Sequence, residues 1–137
     1  MLSILKRPKV RFFLIAFFFL ISSIVLFRHD PAGSIVFPPC PFHALTGLYC
    51  PGCGSLRAVH QLFHGNLGSA FGLNPLMIIV LPFMGYSFVS YGMITFGKQR
   101  LTIIPAPAYL GWLMLIVIIL YGILRNIPYY PFYLLAP

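Results

Sequence analysis

Three cysteines and a nearby histidine are the residues of this sequence best placed to do chemistry. Every cysteine of the chain lies in one stretch: Cys40-Pro41-Phe42-His43, six residues, then Cys50-Pro51-Gly52-Cys53-Gly54. A tetrahedral metal ion needs two short turns, each presenting two ligands about three residues apart. Proline stiffens such a turn, and glycine lets backbone N–H groups come close to the sulfurs. Cys40, His43, Cys50 and Cys53 form a Cys3His set, a common arrangement for structural zinc, and Cys-x-x-Cys is an ordinary ligand spacing. Cys-Pro-x-Cys-Gly is similar to the knuckle of a zinc ribbon, whereas the other turn departs from that pattern in ending on His43.

Two other chemistries fit the same residues. Cys50 and Cys53 could form a redox-active pair with Cys40 as a third thiol. A helix starting at Ser55 would lower the pKa of a thiol at its N-terminus and suit thiol exchange. The plainest arrangement is a Pro/Gly-rich loop with small buried cysteines and one disulfide. The metal site is the leading expectation, with the Cys50–Cys53 oxidoreductase as its alternative.

The residues after the knuckle read Ser55-Leu56-Arg57-Ala58-Val59-His60-Gln61-Leu62-Phe63-His64-Gly65. Ser55 suits an N-cap and Gly65 a C-terminal stop. Leu56, Val59, Leu62 and Phe63 draw an apolar stripe, which predicts a short amphipathic helix at a membrane surface. His60 and His64 share a face, but no Glu accompanies them as in zinc proteases; they are expected to be polar side chains facing water. Arg57 either donates to loop carbonyls, a thiolate or a lipid phosphate, or simply extends to the surface.

Several reaction classes are excluded. Asp30 is the only acidic residue, so no carboxylate pair exists for glycoside hydrolysis and no carboxylate cluster for magnesium or two-metal chemistry. No phosphate-cradling glycine loop and no G-x-S-x-G elbow is present.

The elements that must position the cysteines follow from composition. The 137 residues are 60% hydrophobic and only 7% charged. A water-soluble domain carries about 25% charged residues; lipid as outer solvent removes that need. The apolar run Phe12–Phe27, extended by Val10, predicts a first membrane helix over about 10–28. It ends without a small-residue cleavage site, so an uncleaved anchor is expected rather than a signal peptide. The run 73–96 has no charge, opens on Asn74-Pro75, contains Pro82, and places Gly85 and Gly92 on one face for close helix approach. A third span is expected over about 106–124, with Tyr109, Trp112 and Tyr121 as interfacial anchors. Residues 125–137 form an aromatic, proline-broken tail suited to the headgroup level. No ionisable residue falls within these spans, which argues against an ion or proton pathway.

The net charge of +8 does not indicate nucleic acid, because Lys6, Arg7, Lys9, Arg11, Lys98 and Arg100 flank apolar segments as topology signals do. Their distribution predicts a cytoplasmic N-terminus and an extracytoplasmic C-terminus, with the cysteines outside. An oxidising exterior favours disulfides over free thiols, so topology and metal binding pull in different directions.

Cys40-Pro41, Gly47, Cys50-Pro51-Gly52-Cys53-Gly54, Arg57, Gly65, Asn74-Pro75 and Arg125-Asn126 together resemble a family of small bacterial membrane proteins catalogued as a domain of unknown function. The resemblance covers residues 38–127. It implies a bacterial inner-membrane location and a compact helical architecture, and it implies no activity. The expectation is one all-α, multi-pass membrane domain with three transmembrane helices. Its Cys-rich loop-helix, 38–66, is interfacial or re-entrant. Zinc on Cys40, His43, Cys50 and Cys53 would order a surface for a membrane-protein partner or a second copy, in a non-enzymatic role.

Overall fold

The computed structural model describes residues 7–33, 37–97 and 107–137. Within them the chain is helical and has no strand: α1 Pro8–Arg28, α2 Pro41–Thr46, α3 Ser55–Phe63, α4 Leu67–Leu73, α5 Pro75–Thr95, α6 Ala108–Leu124 and a 3-10 turn at Phe132–Leu135. Lys6, Lys98, Arg100 and the expected start of the third span at Ala106 lie outside the described residues.

Two helices are long and apolar enough to cross a membrane, α1 and α5. Each has 21 residues, about 31 Å at ~1.5 Å per residue, against a hydrocarbon thickness of about 30 Å. Pro8 and Pro75 occupy first helical positions, where a missing N–H costs nothing. Asn74 caps α5 by accepting the N–H of Met77 at 3.0 Å, and Pro82 is accommodated without ending the helix. Along α1 only Leu26 is buried. A core helix of a water-soluble fold would bury a far larger share of its phenylalanines.

α1 and α5 pack where Phe12 stacks on Phe88 at 5.2 Å and meets Phe96 edge-on at 5.4 Å. Gly92 admits that ring, since a Cβ there would lie 2.7 Å from Phe12 Cε2. Gly85, expected to share this close face, has open space around its Cα and lines an apolar groove of about 610 Å³ with Phe19, Phe63 and Phe88.

α6 has 17 residues, about 25 Å, and residues 109–120 are exposed. It makes its contacts at its C-terminal end. Tyr121, expected as an interfacial anchor, is instead buried and donates its hydroxyl to Asn74 Oδ1 at 3.3 Å. The C-terminal ends of α1 and α6 and the N-terminal end of α5 therefore gather on one side, around the cysteines.

Candidate metal centre

Local sequence folds the two cysteine turns toward each other. Cys40 sits just before α2, whose first position is Pro41 and which ends at Gly47 with φ +71°. This short helix stands where the sequence suggests a bare Cys-Pro-x-His turn; Thr46 tightens it by donating to the Phe42 carbonyl at 2.7 Å. The chain then reverses into the knuckle, where the Cys53 N–H donates to the Cys50 carbonyl at 3.0 Å and the Cys50 N–H points at Cys53 Sγ at 3.3 Å. Gly54 follows at φ +80°; a Cβ there would lie 2.7 Å from the Leu73 carbonyl oxygen, so both conformation and space call for glycine.

The outcome is a triad. Cys50 Sγ lies 3.5 Å from Cys40 Sγ and 3.1 Å from Cys53 Sγ, and all three sulfurs fall within 4.8 Å of one another. These are free thiols, well beyond the ~2.05 Å of a disulfide bond. Sulfurs at about 2.3 Å around a tetrahedral zinc would be roughly 3.8 Å apart, so small side-chain rotations separate the observed cluster from a metal-binding one.

A frame of buried polar side chains fixes the knuckle. Asn74, 1% exposed, donates through Nδ2 to the Pro51 carbonyl at 3.0 Å, the Cys53 carbonyl at 3.2 Å and Ser55 Oγ at 3.0 Å. Arg125, also 1% exposed, donates through Nη1 to the carbonyls of Cys50 and Pro51 at 3.0 and 3.3 Å. Asn126 embraces Tyr49, accepting its N–H and donating to its carbonyl, both at 2.8 Å. With Ser55 N–H on the Gly52 carbonyl, every carbonyl from Tyr49 to Cys53 accepts a hydrogen bond. Gly122 lets α6 approach, since a Cβ there would lie 3.0 Å from Pro51 Cγ.

Cys40 and Cys53 differ electrostatically. The backbone N–H of His43 in the first turn of α2, aided by the neighbouring thiols, brings Cys40 down to about 7. Burial, aided by hydrogen bonding among the thiols, pushes Cys53 up to about 12. Cys40 is thus the readily ionised, partly exposed member, and Cys53 is a buried thiol that ionises only with compensation such as a metal ion supplies.

His43 is not one of the clustered groups. Its ring stacks on Tyr49 at 4.6 Å and its Nδ1 lies 3.2 Å from the Leu48 carbonyl oxygen. It lines a cleft of about 330 Å³ together with Cys40, Cys53 and Arg57. Arg57 is exposed; the cation that grips loop carbonyls is Arg125, which enters the sequence reading only with Asn126 in the family resemblance. Ser55 is not the cap of α3, a place held by Gly54; it is the first helical residue, and its hydroxyl accepts from Asn74. His60 does not face water: its Nδ1 lies 2.6 Å from the Leu26 carbonyl oxygen and ties α3 to the end of α1. His64 is exposed and stacks on Phe27 at 4.7 Å. Gly65 stops α3 as expected: its N–H bonds to the Leu62 carbonyl and that of Asn66 to the Gln61 carbonyl.

Fold and site together define a helical protein with two helices able to cross a membrane and a cysteine triad able to bind a metal. Residues 40–88 match the family model described as a protein of unknown function, DUF2752. The match takes in all three cysteines and Asn74, and ends within α5 before Arg125 and Asn126. No curated protein and no solved structure matches the chain.

Proposed function

We propose that this is a non-enzymatic integral membrane protein of the bacterial inner membrane. It crosses three times through α1, α5 and α6, and a structural zinc on Cys40, Cys50, Cys53 and His43 orders a surface for a membrane partner. The observation that carries the metal reading is the convergence of three free thiols within 4.8 Å on a knuckle held by buried side chains. His43 completes the set by leaving Tyr49. The hydrogen bond given up is worth about 1 kcal/mol, small beside the roughly 10–16 kcal/mol of apparent zinc binding in zinc-finger peptides. The helix ends gathered at the cysteines suit an up-down-up path, and the exposed residues 109–120 of α6 suit lipid. Basic residues then put the N-terminus in the cytoplasm and the cysteine side outside.

Zinc content per chain, measured with a free-thiol count after denaturation and chelation, tests the metal reading. One zinc and three free thiols are expected, with loss of zinc in His43→Ala. No metal and a single free thiol would overturn it. That result would favour the alternative supported by the 3.1 Å Cys50–Cys53 separation. In it, the pair would become a disulfide as a substrate disulfide is reduced to two thiols.

A further inference from the structure

Arg125 is a cation closed off from solvent, and among the described residues no anion lies beside it. Its Nη1 grips the Cys50 and Pro51 carbonyls, while its Nε and Nη2 find no acceptor. Tyr49 and Tyr121 place their rings 5.9 and 5.1 Å from Cζ; aromatic faces attract a cation without neutralising it. The one side-chain carboxylate in the sequence, Asp30, accepts the N–H of Ala32 in an exposed turn. A guanidinium cannot shed its proton, and a buried charge without a counter-charge is strongly destabilising. An apolar side chain could pack α6 on the loop without that penalty. On the segment Arg125 grips, the groups able to become anionic at neutral pH are the thiols.

We propose that Arg125 is the counter-charge of an anionic metal–thiolate centre, an inference that rests on the metal reading above. A divalent ion on three deprotonated sulfurs and neutral His43 carries one net negative charge, and Arg125 cancels it. Each S–H gives its proton to solvent as its sulfur binds. A monovalent ion on the same ligands would leave two negative charges. Of the two ion charges, the buried charge of Arg125 matches the divalent one, on a thiophilic ion; a Cys50–Cys53 disulfide would leave only Cys40 to carry charge, in the other turn. Arg125 is a positioning residue acting through the knuckle, without touching the metal.

The test is a Co2+ titration of the full chain in detergent micelles, read by thiolate-to-cobalt charge-transfer absorption, with chelator competition for affinity. Arg125→Gln keeps an N–H donor for the carbonyls and removes the charge; Arg125→Lys keeps the charge. Arg125→Gln should weaken Co2+ binding roughly 20- to 100-fold, as expected for a unit charge within about 10 Å at an effective dielectric near 20. It should also lower the charge-transfer intensity per cobalt, as fewer sulfurs ionise. Arg125→Lys should stay within about threefold of wild type. Equal affinities for the Lys and Gln variants would overturn the counter-charge and leave the metal site standing. Wild-type protein with three free thiols and no cobalt signal would sink both.

Discussion

Replacing Asn74 should release the cysteine knuckle. Its amide donates to three oxygens on the 51–55 segment and its Oδ1 accepts from Met77 N–H and the Tyr121 hydroxyl, all at 1% exposure. Asn74→Ala removes five polar contacts. Pro51 keeps Arg125 as a donor, but the Cys53 carbonyl loses the donor described for it and α5 loses its cap. At about 1 kcal/mol net per bond, and 1–3 for a buried group left unpaired, the loss is roughly 3–5 kcal/mol. Alkylation of buried Cys53 in metal-free protein reads this directly, because labelling requires local opening. Two to three orders of magnitude faster labelling is expected, at about 1.4 kcal/mol per decade, up to the rate of the denatured chain. Asn74→Asp sharpens the test, since its second oxygen would face the Pro51 and Cys53 carbonyls. Having no N–H to give them, it should speed Cys53 labelling as Asn74→Ala does. Cys53 labelling within threefold of wild type in Asn74→Ala would refute the assignment of Asn74 as the clamp.

In metal-free protein, iodoacetamide should modify Cys40 with a midpoint near pH 7, with Cys53 protected well into the alkaline range; denatured chain should show both near ~8.5. The lowered Cys40 stabilises the fold above the ordinary thiol range, an effect lost as pH falls through about 7. The raised Cys53 makes stability decline as pH climbs from that range toward about 12; a thermal-unfolding series across pH checks both signs. Gly54→Ala should cost about 2–4 kcal/mol, from left-handed φ and the clash with the Leu73 carbonyl. Gly47→Ala, left-handed but in open space, should cost about 1–2 kcal/mol, so equal melting losses would contradict the packing at Gly54. His60→Ala should destabilise by about 1–2 kcal/mol through the lost Leu26 contact and exceed the loss in His64→Ala on thermal unfolding.

The parts of this molecule readable from its sequence are those governed by local rules. The apolar runs mark helices where α1, α5 and α6 lie, because hydropathy and the helix repeat need no tertiary information. Asn74-Pro75 announces the start of α5 for the same reason: cap and first-turn proline act within four residues. α4 gave no such sign. Leu67–Leu73 carries two glycines and no side-chain cap, and its helicity comes from packing on α3, where Ala58 and Ala70 are fully buried. The approach of the three sulfurs was legible as spacing. The resting place of His43 was not, because Tyr49 competes for its ring.

The residues hardest to read, Arg125 and Asn126, show how a loop outside a helix has its backbone groups satisfied. A loop packed against helix ends has little water for its carbonyls and must find other donors. In this chain the side chains that meet Tyr49 to Cys53 stand where α5 begins and α6 ends, 74 to 77 positions away for those after α6. Helix ends are rigid, so they can hold an amide or guanidinium in place against the loop. The sequence signal was an Arg-Asn pair directly after an apolar run in a chain with one acidic residue. A topology charge explains the Arg alone. It does not explain an Asn beside it that donates to the Gly122 carbonyl of its own helix at 2.7 Å while embracing Tyr49. That doubled bonding ties the last turn of α6 to the knuckle that carries Cys50 and Cys53.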